Sequence, residues 1–288
     1  MLWRLVCTSG IEQYHHGEEP WALVTGASDG IGKSLCDVLA HRGFNVFIHG
    51  RNPQKLAAVM AELSTSHPRR HFEVIVADAS KPYLVPEVVA ATSDKNLTIL
   101  INNAGYTGTP IRPLVTMGVS EIERAFNIGV AWTTHLTWAL LPQLMKNEPS
   151  LLVNVGSFAQ AHPPPFLTTY AANKGYLRTF TQALRAEMTF THYPSIEVQY
   201  HEVHAVSTVS NPQATSFSCP TPQVMAEAMV DAVRKKQAVV IPYWVHELIA
   251  WILWLLPEVL VIWMTGSILE KRRDDLKDRE RADKGKED

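Results

Sequence analysis

The run Trp21-Ala22-Leu23-Val24-Thr25-Gly26-Ala27-Ser28-Asp29-Gly30-Ile31-Gly32 constrains this 288-residue chain more than any other segment. A short apolar stretch ends in a turn rich in glycine, and Ile31 to His41 then carries helical spacing that stops at Gly43. A strand that feeds straight through glycines into a helix has few uses. The glycines let the backbone turn tightly and approach a pyrophosphate closely. The helix N-terminus then offers it free N–H groups and a partial positive charge. Thr25, Gly26, Ser28, Gly30, Ile31 and Gly32 are therefore candidate phosphate-side residues. Glycine spacing alone is a weak signal, and the strand–turn–helix context gives it weight.

The following two-thirds of the chain keep alternating. Strands are expected at Asn45–His49, Phe72–Ala77, Leu97–Ile101, Leu151–Val155, Ile196–Val203 and Val239–Ile241. Helices are expected at Pro53–Leu63, Ser120–Met145 and Thr169–Thr189. Strands apolar on both faces belong in a buried parallel sheet, and strands alternating with helices imply crossovers. The expected fold is α/β: a Rossmann-type, doubly wound parallel sheet in one domain with an apolar C-terminal extension. The divisions read as an N-terminal extension (1–19), a nucleotide-binding catalytic domain (20–242), an apolar Trp-rich segment (243–269) and a charged tail (270–288).

The formal net charge of -2 creates no field that attracts nucleic acid. The three cysteines, Cys7, Cys36 and Cys219, fit no zinc or redox spacing, so buried reduced thiols and no metal site are expected. Met1 to Gly10 lacks the long apolar core of a signal peptide.

The second strand ends in His49-Gly50-Arg51-Asn52. A carboxylate there would hold a ribose hydroxyl, whereas a guanidinium pairs with a 2′-phosphate. Arg51, with Lys55 one helical turn on, favours NADP(H) over NAD(H); a plain surface charge is the alternative for Arg51. Tyr170 and Lys174 stand four apart and share one helix face. A phenol titrates near 10, and a neighbouring ammonium is expected to lower that value towards neutral. Ser157 follows the fifth strand, at the carboxyl end where ligands bind such sheets. Its hydroxyl can hold a carbonyl oxygen that gains negative charge.

Each pair is weak evidence by itself, but the order is specific. With Thr25-Gly26-x-x-x-Gly30-x-Gly32, Asp78, Asn102-Asn103-Ala104-Gly105, Ser157 and Tyr170-x-x-x-Lys174, the chain resembles the short-chain dehydrogenase/reductase family over roughly Trp21 to Ile241. The resemblance implies that Tyr170 is the proton donor, Ser157 orients the substrate carbonyl and Lys174 also holds the nicotinamide ribose. It implies adenine contact by Asp78, closure over the cofactor by Asn103, and a carboxamide-side segment at Val206-x-Thr208. The stretch from Trp21 to Lys33, Pro220-Thr221-Pro222 and Tyr243-Trp244-x-His246-x-Leu248 are most similar to the branch of 17β-hydroxysteroid dehydrogenases and very-long-chain 3-oxoacyl-CoA reductases.

The chain departs from that pattern in three places. Val203-His204 stands where the family usually has Pro-Gly. Counting back from Leu141-Pro142 puts Gly129 where a catalytic Asn is expected. Either the register shifts and Asn127 serves, or that Asn is absent and a proton relay rests on water. The N-terminal membrane segment typical of the branch is also missing before Trp21.

Leu248 to Leu269 is mostly apolar and long enough to cross a bilayer, but Pro257-Glu258 interrupts it. A carboxylate at a helix centre costs about 2.5–3.5 kcal/mol on insertion scales, so two interfacial helices with Trp at the headgroups compete with one span. A substrate lid or dimer contact is the alternative. The end, Lys284-Gly285-Lys286-Glu287-Asp288, resembles a retrieval signal of endoplasmic reticulum membrane proteins.

Together these point to NADPH-dependent reduction of an apolar ketone (a 3-oxoacyl-CoA, a steroid or a polyketide-like compound) at the cytosolic face of the endoplasmic reticulum, or else in the cytoplasm. The rivals are the reverse alcohol oxidation and a silent nucleotide-binding protein. Expected partners are that substrate, a membrane surface and a second copy of the chain, with no nucleic acid.

Overall fold

The structure, a computed structural model, describes residues 10–105 and 111–284, with side chains described through residue 275. Cys7 and the tail signal from Lys284 to Asp288 lie outside the described side chains.

Seven strands form one sheet: β1 (Trp21–Val24), β2 (Asn45–Gly50), β3 (Phe72–Val76), β4 (Leu97–Asn102), β5 (Ser150–Val155), β6 (Ile196–His201) and β7 (Val239–Val240). Their spatial order is β3-β2-β1-β4-β5-β6-β7, and every neighbouring pair is parallel. The order reverses between β1 and β4, which is where such sheets open a crevice.

Alternation along each strand sorts side chains to the two faces. Ala22, Val24, Val46 and Ile48 meet α1 (Gly30–His41), α2 (Pro53–Ser66) and the later helix Pro222–Ala232 on one side. Trp21, Leu23, Phe47 and Leu100 meet the helices of the other side. There the Leu136, Leu140 and Leu144 stripe, one residue per turn, lies fully buried beneath Trp132. This two-sided burial is why the strands read as continuous apolar runs.

Two helices were not evident from pattern. One is α3 (Val85–Thr92), which opens on Pro86 in its first turn. The second is a division of the long helix expected over Ser120–Met145. It consists of α4 (Val119–Phe126), a π-helical turn (Asn127–Trp132) and α5 (Thr133–Lys146). Next come α6 (Thr168–Phe190) and α7 (Pro222–Ala232), the latter capped by Thr221. The apolar end folds as α8 (Trp244–Trp254) and α9 (Glu258–Lys284), broken at Leu255–Pro257. Among the described residues no helix is long and apolar enough to cross a membrane.

Buried polar residues tie the second layer to the sheet. Asn102 on β4 donates to Thr137 Oγ1 on α5 (3.1 Å) and to Asn154 Oδ1 on β5 (2.9 Å). Asn154 in turn donates to Thr181 Oγ1 on α6 at 2.8 Å. Asn154 is fully buried, so water cannot replace a partner that is removed. Asn154→Ala should cost about 2–4 kcal/mol of unfolding free energy. An unchanged urea midpoint would show that the network does not support the sheet.

Candidate active site

The carboxyl ends of β1 and β4 are clasped by one hydroxyl. Thr25 Oγ1 accepts the N–H groups of Asn103 and Ala104, both at 2.9 Å, and donates to Ile101 O at 3.4 Å. The Asn103 amide returns to Thr25 O (2.9 Å) and Gly26 O (3.2 Å). This fixes the turn that follows. Gly26 has φ +67°, and a Cβ there would lie 2.9 Å from Ala104 Cα. A Cβ on Gly32 would sit 2.2 Å from Gly26 O, so α1 can begin this close to the turn only with glycine. Asp29 does not cap α1 with its side chain and instead meets Lys55 at 3.6 Å. Ser28, Gly30 and Ile31 are half-buried along this cradle. Thr208 closes its far side, 3.3 Å from where a Gly30 Cβ would stand.

Arg51 is exposed at the end of β2. Burial pushes the Asp78 carboxyl up, but the Ser80 N–H and hydroxyl, Arg124 and Arg51 outweigh it and hold that carboxyl below its ordinary value. The structure thus brings Arg51 and Asp78 to one rim. Lys55 is drawn to Asp29, so it is Arg51 that remains the exposed cation at the β2 end.

Ser157 follows the end of β5, and behind it stands a residue that spacing did not reveal. The Tyr200 hydroxyl, from β6, accepts Ser157 N–H at 3.0 Å and lies 3.3 Å from both Ser157 O and Lys174 O. The ring fills the space over Gly156, where a Cβ would come within 1.9 Å of Tyr200 Cζ. Gly156 just before Ser157 is the one sequence sign of that close approach. Tyr200 itself looks like any strand aromatic.

Tyr170 and Lys174 rise from α6 beside Ser157. Burial raises the phenol, and the neighbouring Ser157 hydroxyl opposes that only in part. The phenol therefore stands above its ordinary value, in the direction opposite to the lowering expected from the Lys174 spacing. Lys174 Nζ donates to Val155 O at 2.7 Å and stands 5.8 Å from the Tyr170 ring centre. Burial brings its pKa down to about 8. One positive charge and one neutral phenol therefore share a half-buried corner next to Ser157.

Asn127 does not join them. It lies in the π turn and its amide donates to Ser80 O at 3.2 Å, on the Asp78 side. The space beside Gly129 is filled by Asn173 instead.

Val206 is buried, and its carbonyl accepts from Asn211 at 2.8 Å. Thr208 and Asn211 exchange backbone hydrogen bonds at 3.2 and 3.0 Å. His204, in place of a glycine, stacks between Phe158 (4.1 Å) and His246 at the start of α8 (4.6 Å). Burial, with His246 and His162 adding to it, lowers His204 to about 3, so the ring is neutral. The stack ties the segment that follows β6 to the loop after β5 and to the start of α8. The loop from Ala161 to Phe166 is gripped from outside by α9. A Cβ on Gly266 would touch Pro165 Cγ at 3.0 Å, and the Arg273 guanidinium lies 5.2 Å over the Phe166 ring. Phe166 is held at φ +69°.

Comparison with known proteins agrees with this geometry. A family model described as short chain dehydrogenase matches residues 20–216. A very-long-chain 3-oxoacyl-CoA reductase of Coprinopsis cinerea is 31% identical over 278 residues, covering 92% of this chain and 80% of the relative. A reductase of the same name from Ajellomyces capsulatus is 30% identical, over 81% of this chain and 70% of its own length. Among solved structures, a short-chain dehydrogenase of Sphingobium yanoikuyae in complex with NADPH superposes with TM-score 0.69 at 26% identity, over 77% of this chain and 87% of that one. The chain belongs to the short-chain dehydrogenase/reductase family of oxidoreductases, in the branch of the very-long-chain 3-oxoacyl-CoA reductases.

Proposed function

We propose that this oxidoreductase reduces an apolar ketone, a 3-oxoacyl thioester above all, with NADPH. The observation that carries the reading is the convergence of Ser157, Tyr170 and Lys174 at the end of β5, one strand from the glycine cradle. The cradle fits a dinucleotide, because glycine at 26 and 32 lets the turn pack against Ala104 and its own backbone and start α1 directly behind it, the strand–turn–helix arrangement that takes a pyrophosphate. Gly26, Ser28, Gly30, Ile31 and Gly32 would hold the pyrophosphate, Asp78 the adenine, Arg51 a 2′-phosphate, and Val206 and Thr208 the carboxamide end. NADPH supplies a hydride to the carbonyl carbon. Ser157 holds the carbonyl oxygen, and Tyr170 gives it the phenolic proton as the alkoxide forms. A raised phenol pKa suits a donor that must keep its proton until that moment. Lys174 anchors the ribose side and replaces charge as the phenolate appears.

The fungal relatives' name supports the thioester class, and the NADPH complex of the Sphingobium enzyme supports the cofactor. A second feature supports a place for the reaction. Trp251 (62% exposed), Trp254 (72%), Val259 (79%) and Trp263 (68%) present a broad apolar face on α8 and α9. Lys271, Arg272 and Arg273 follow it. Tryptophan and cations at the edge of an apolar face suit a lipid headgroup layer. We propose that this surface rests on the endoplasmic reticulum membrane, cytosolic side.

NADPH oxidation with 3-oxoacyl-CoAs and bulky apolar ketones tests the chemistry. Tyr170→Phe should lower kcat by about 10²–10⁴-fold and spare NADPH binding; retained turnover would remove Tyr170 from the role. With Lys174 near 8, kcat/KM for the ketone should fall as pH rises through about 8, because the ammonium is lost there. For folding the sign is opposite: the native chain sheds this proton before the unfolded chain does, so stability gains between about 8 and the ordinary lysine value. Arg51→Glu should weaken NADPH binding by at least about tenfold, by replacing a phosphate partner with a repelling charge, and leave NADH binding nearly unchanged. Equal losses for both would reject the 2′-phosphate role. Flotation with vesicles of phosphatidylcholine and phosphatidylserine should fail when Trp251, Trp254 and Trp263 become Ser, while turnover of a water-soluble ketone persists. Unaltered flotation would reject α8–α9 as the contact.

A further inference from the structure

The helix that faces α6 has no side chain at Gly129, and the place where one would begin is taken. A Cβ on Gly129 would lie 2.7 Å from Asn173 Nδ2 and 3.0 Å from both Asn173 Cβ and Cγ. Asn173 comes from α6, one residue before Lys174, and is 4% exposed. Its Nδ2 donates at 2.9 Å to Ala125 O, at the end of α4 where the helix opens into the π turn. Its Oδ1 is buried with no protein donor among the described residues. An amide at a buried helix–helix contact is a costly choice unless it does something an alanine could not.

Its position supplies the reason. A π turn widens the helix and frees carbonyls from their ordinary i→i−4 partners; such turns recur at functional sites. Here the widened turn runs from Asn127 to Trp132 and lies against α6 where Asn173 projects. Lys174 follows immediately and projects towards β5, where it donates to Val155 O. The depth and rotation of α6 at this point therefore set the Lys174 ammonium and, one turn back, the Tyr170 phenol. Asn173 is the only polar side chain in the described residues that α6 passes to the α4 backbone by hydrogen bond.

We propose that Asn173 is a positioning residue for Tyr170 and Lys174, its carboxamide occupying from α6 the site left open at Gly129 and locking the π turn to α6. Gly129 and Asn173 are then a matched pair: a side chain fits in that space from one helix or from the other, not from both. This inference rests on the reductase reading above, and the test separates the two.

The test uses the full-length chain and the reciprocal exchange. Asn173→Ser removes the bond to Ala125 O and leaves a void over Gly129. It should lower kcat by about tenfold, shift the alkaline limb of the pH profile and leave NADPH affinity and the ketone KM within about twofold. Gly129→Asn alone should fall at least as far, because its Cβ meets Asn173. The double exchange, Gly129→Asn with Asn173→Ser, should recover most of the parental kcat and the parental pH limb. Thermal melting of each variant gives the folded fraction, to which rates are referred. An unmoved limb and an unchanged kcat per folded enzyme in Asn173→Ser would overturn the proposal, as would a double variant no better than the product of the two singles. Tyr170→Phe is run alongside. If it turns over as fast as the parent, the reductase reading fails; if it is silent while Asn173→Ser matches the parent, only the positioning role fails.

Discussion

A single hydroxyl decides where the two halves of the sheet part company. Thr25 Oγ1 takes two consecutive N–H groups from Asn103 and Ala104 and returns its proton to Ile101, so β1 and β4 end at a fixed separation. Everything ligand-facing is measured from that clasp. Gly26 leaves it in the left-handed region, Gly32 passes over Gly26 O, and α1 starts where its first N–H groups point outward. On the other side, β4 carries the clasp through Asn102 to Asn154 and Thr181, hence to α6. Cradle and catalytic helix are thus joined by one chain of buried hydrogen bonds, with little loss of geometry along it.

The chemistry on α6 is governed more by loss of solvent than by pairing. From spacing alone, Lys174 is expected to act on Tyr170 as a charge. In the folded chain both groups are half-buried, and the loss of solvent pushes each towards its neutral form. Ser157, Val155 O and Tyr200 supply the polar contacts that make this tolerable. A half-buried lysine near neutrality responds to whatever negative charge arrives next to it, and that includes a phenolate formed during turnover.

Much of this was legible because some constraints act over short stretches. A strand, a glycine turn and a helix start are neighbours in sequence, so Trp21 to Gly32 could be read directly, as could Ser157 after its strand and the helical spacing of Tyr170 and Lys174. The apolar strands announced a sheet covered on both sides. What stayed hidden depends on contacts between distant segments. Tyr200 supports Ser157 across strands, and only Gly156 hints at it. The π turn has no periodic signature, so Ser120–Met145 read as one helix. Asn173 looked like filler within Tyr170-x-x-x-Lys174 until the gap at Gly129 was seen against it. Helix α3 is short and carries Pro86 in its first turn, so its eight residues give little periodic signal. Val203-His204 departs from the family's Pro-Gly, and the stacking of His204 on Phe158 and His246 is a contact between distant segments that the sequence does not announce.

Gly266 lies so close to Pro165 that a side chain there would meet it, and Arg273 lies over the Phe166 ring, so the loop beside Ser157 rests on the same helix that carries the exposed apolar face. A displacement of α9 would therefore be felt first at Pro165 and Phe166. In plain buffer its apolar face has only water to meet, and at an interface it has a partner. What touches the outer face of α9 and what packs beside Ser157 are thus coupled through a single element.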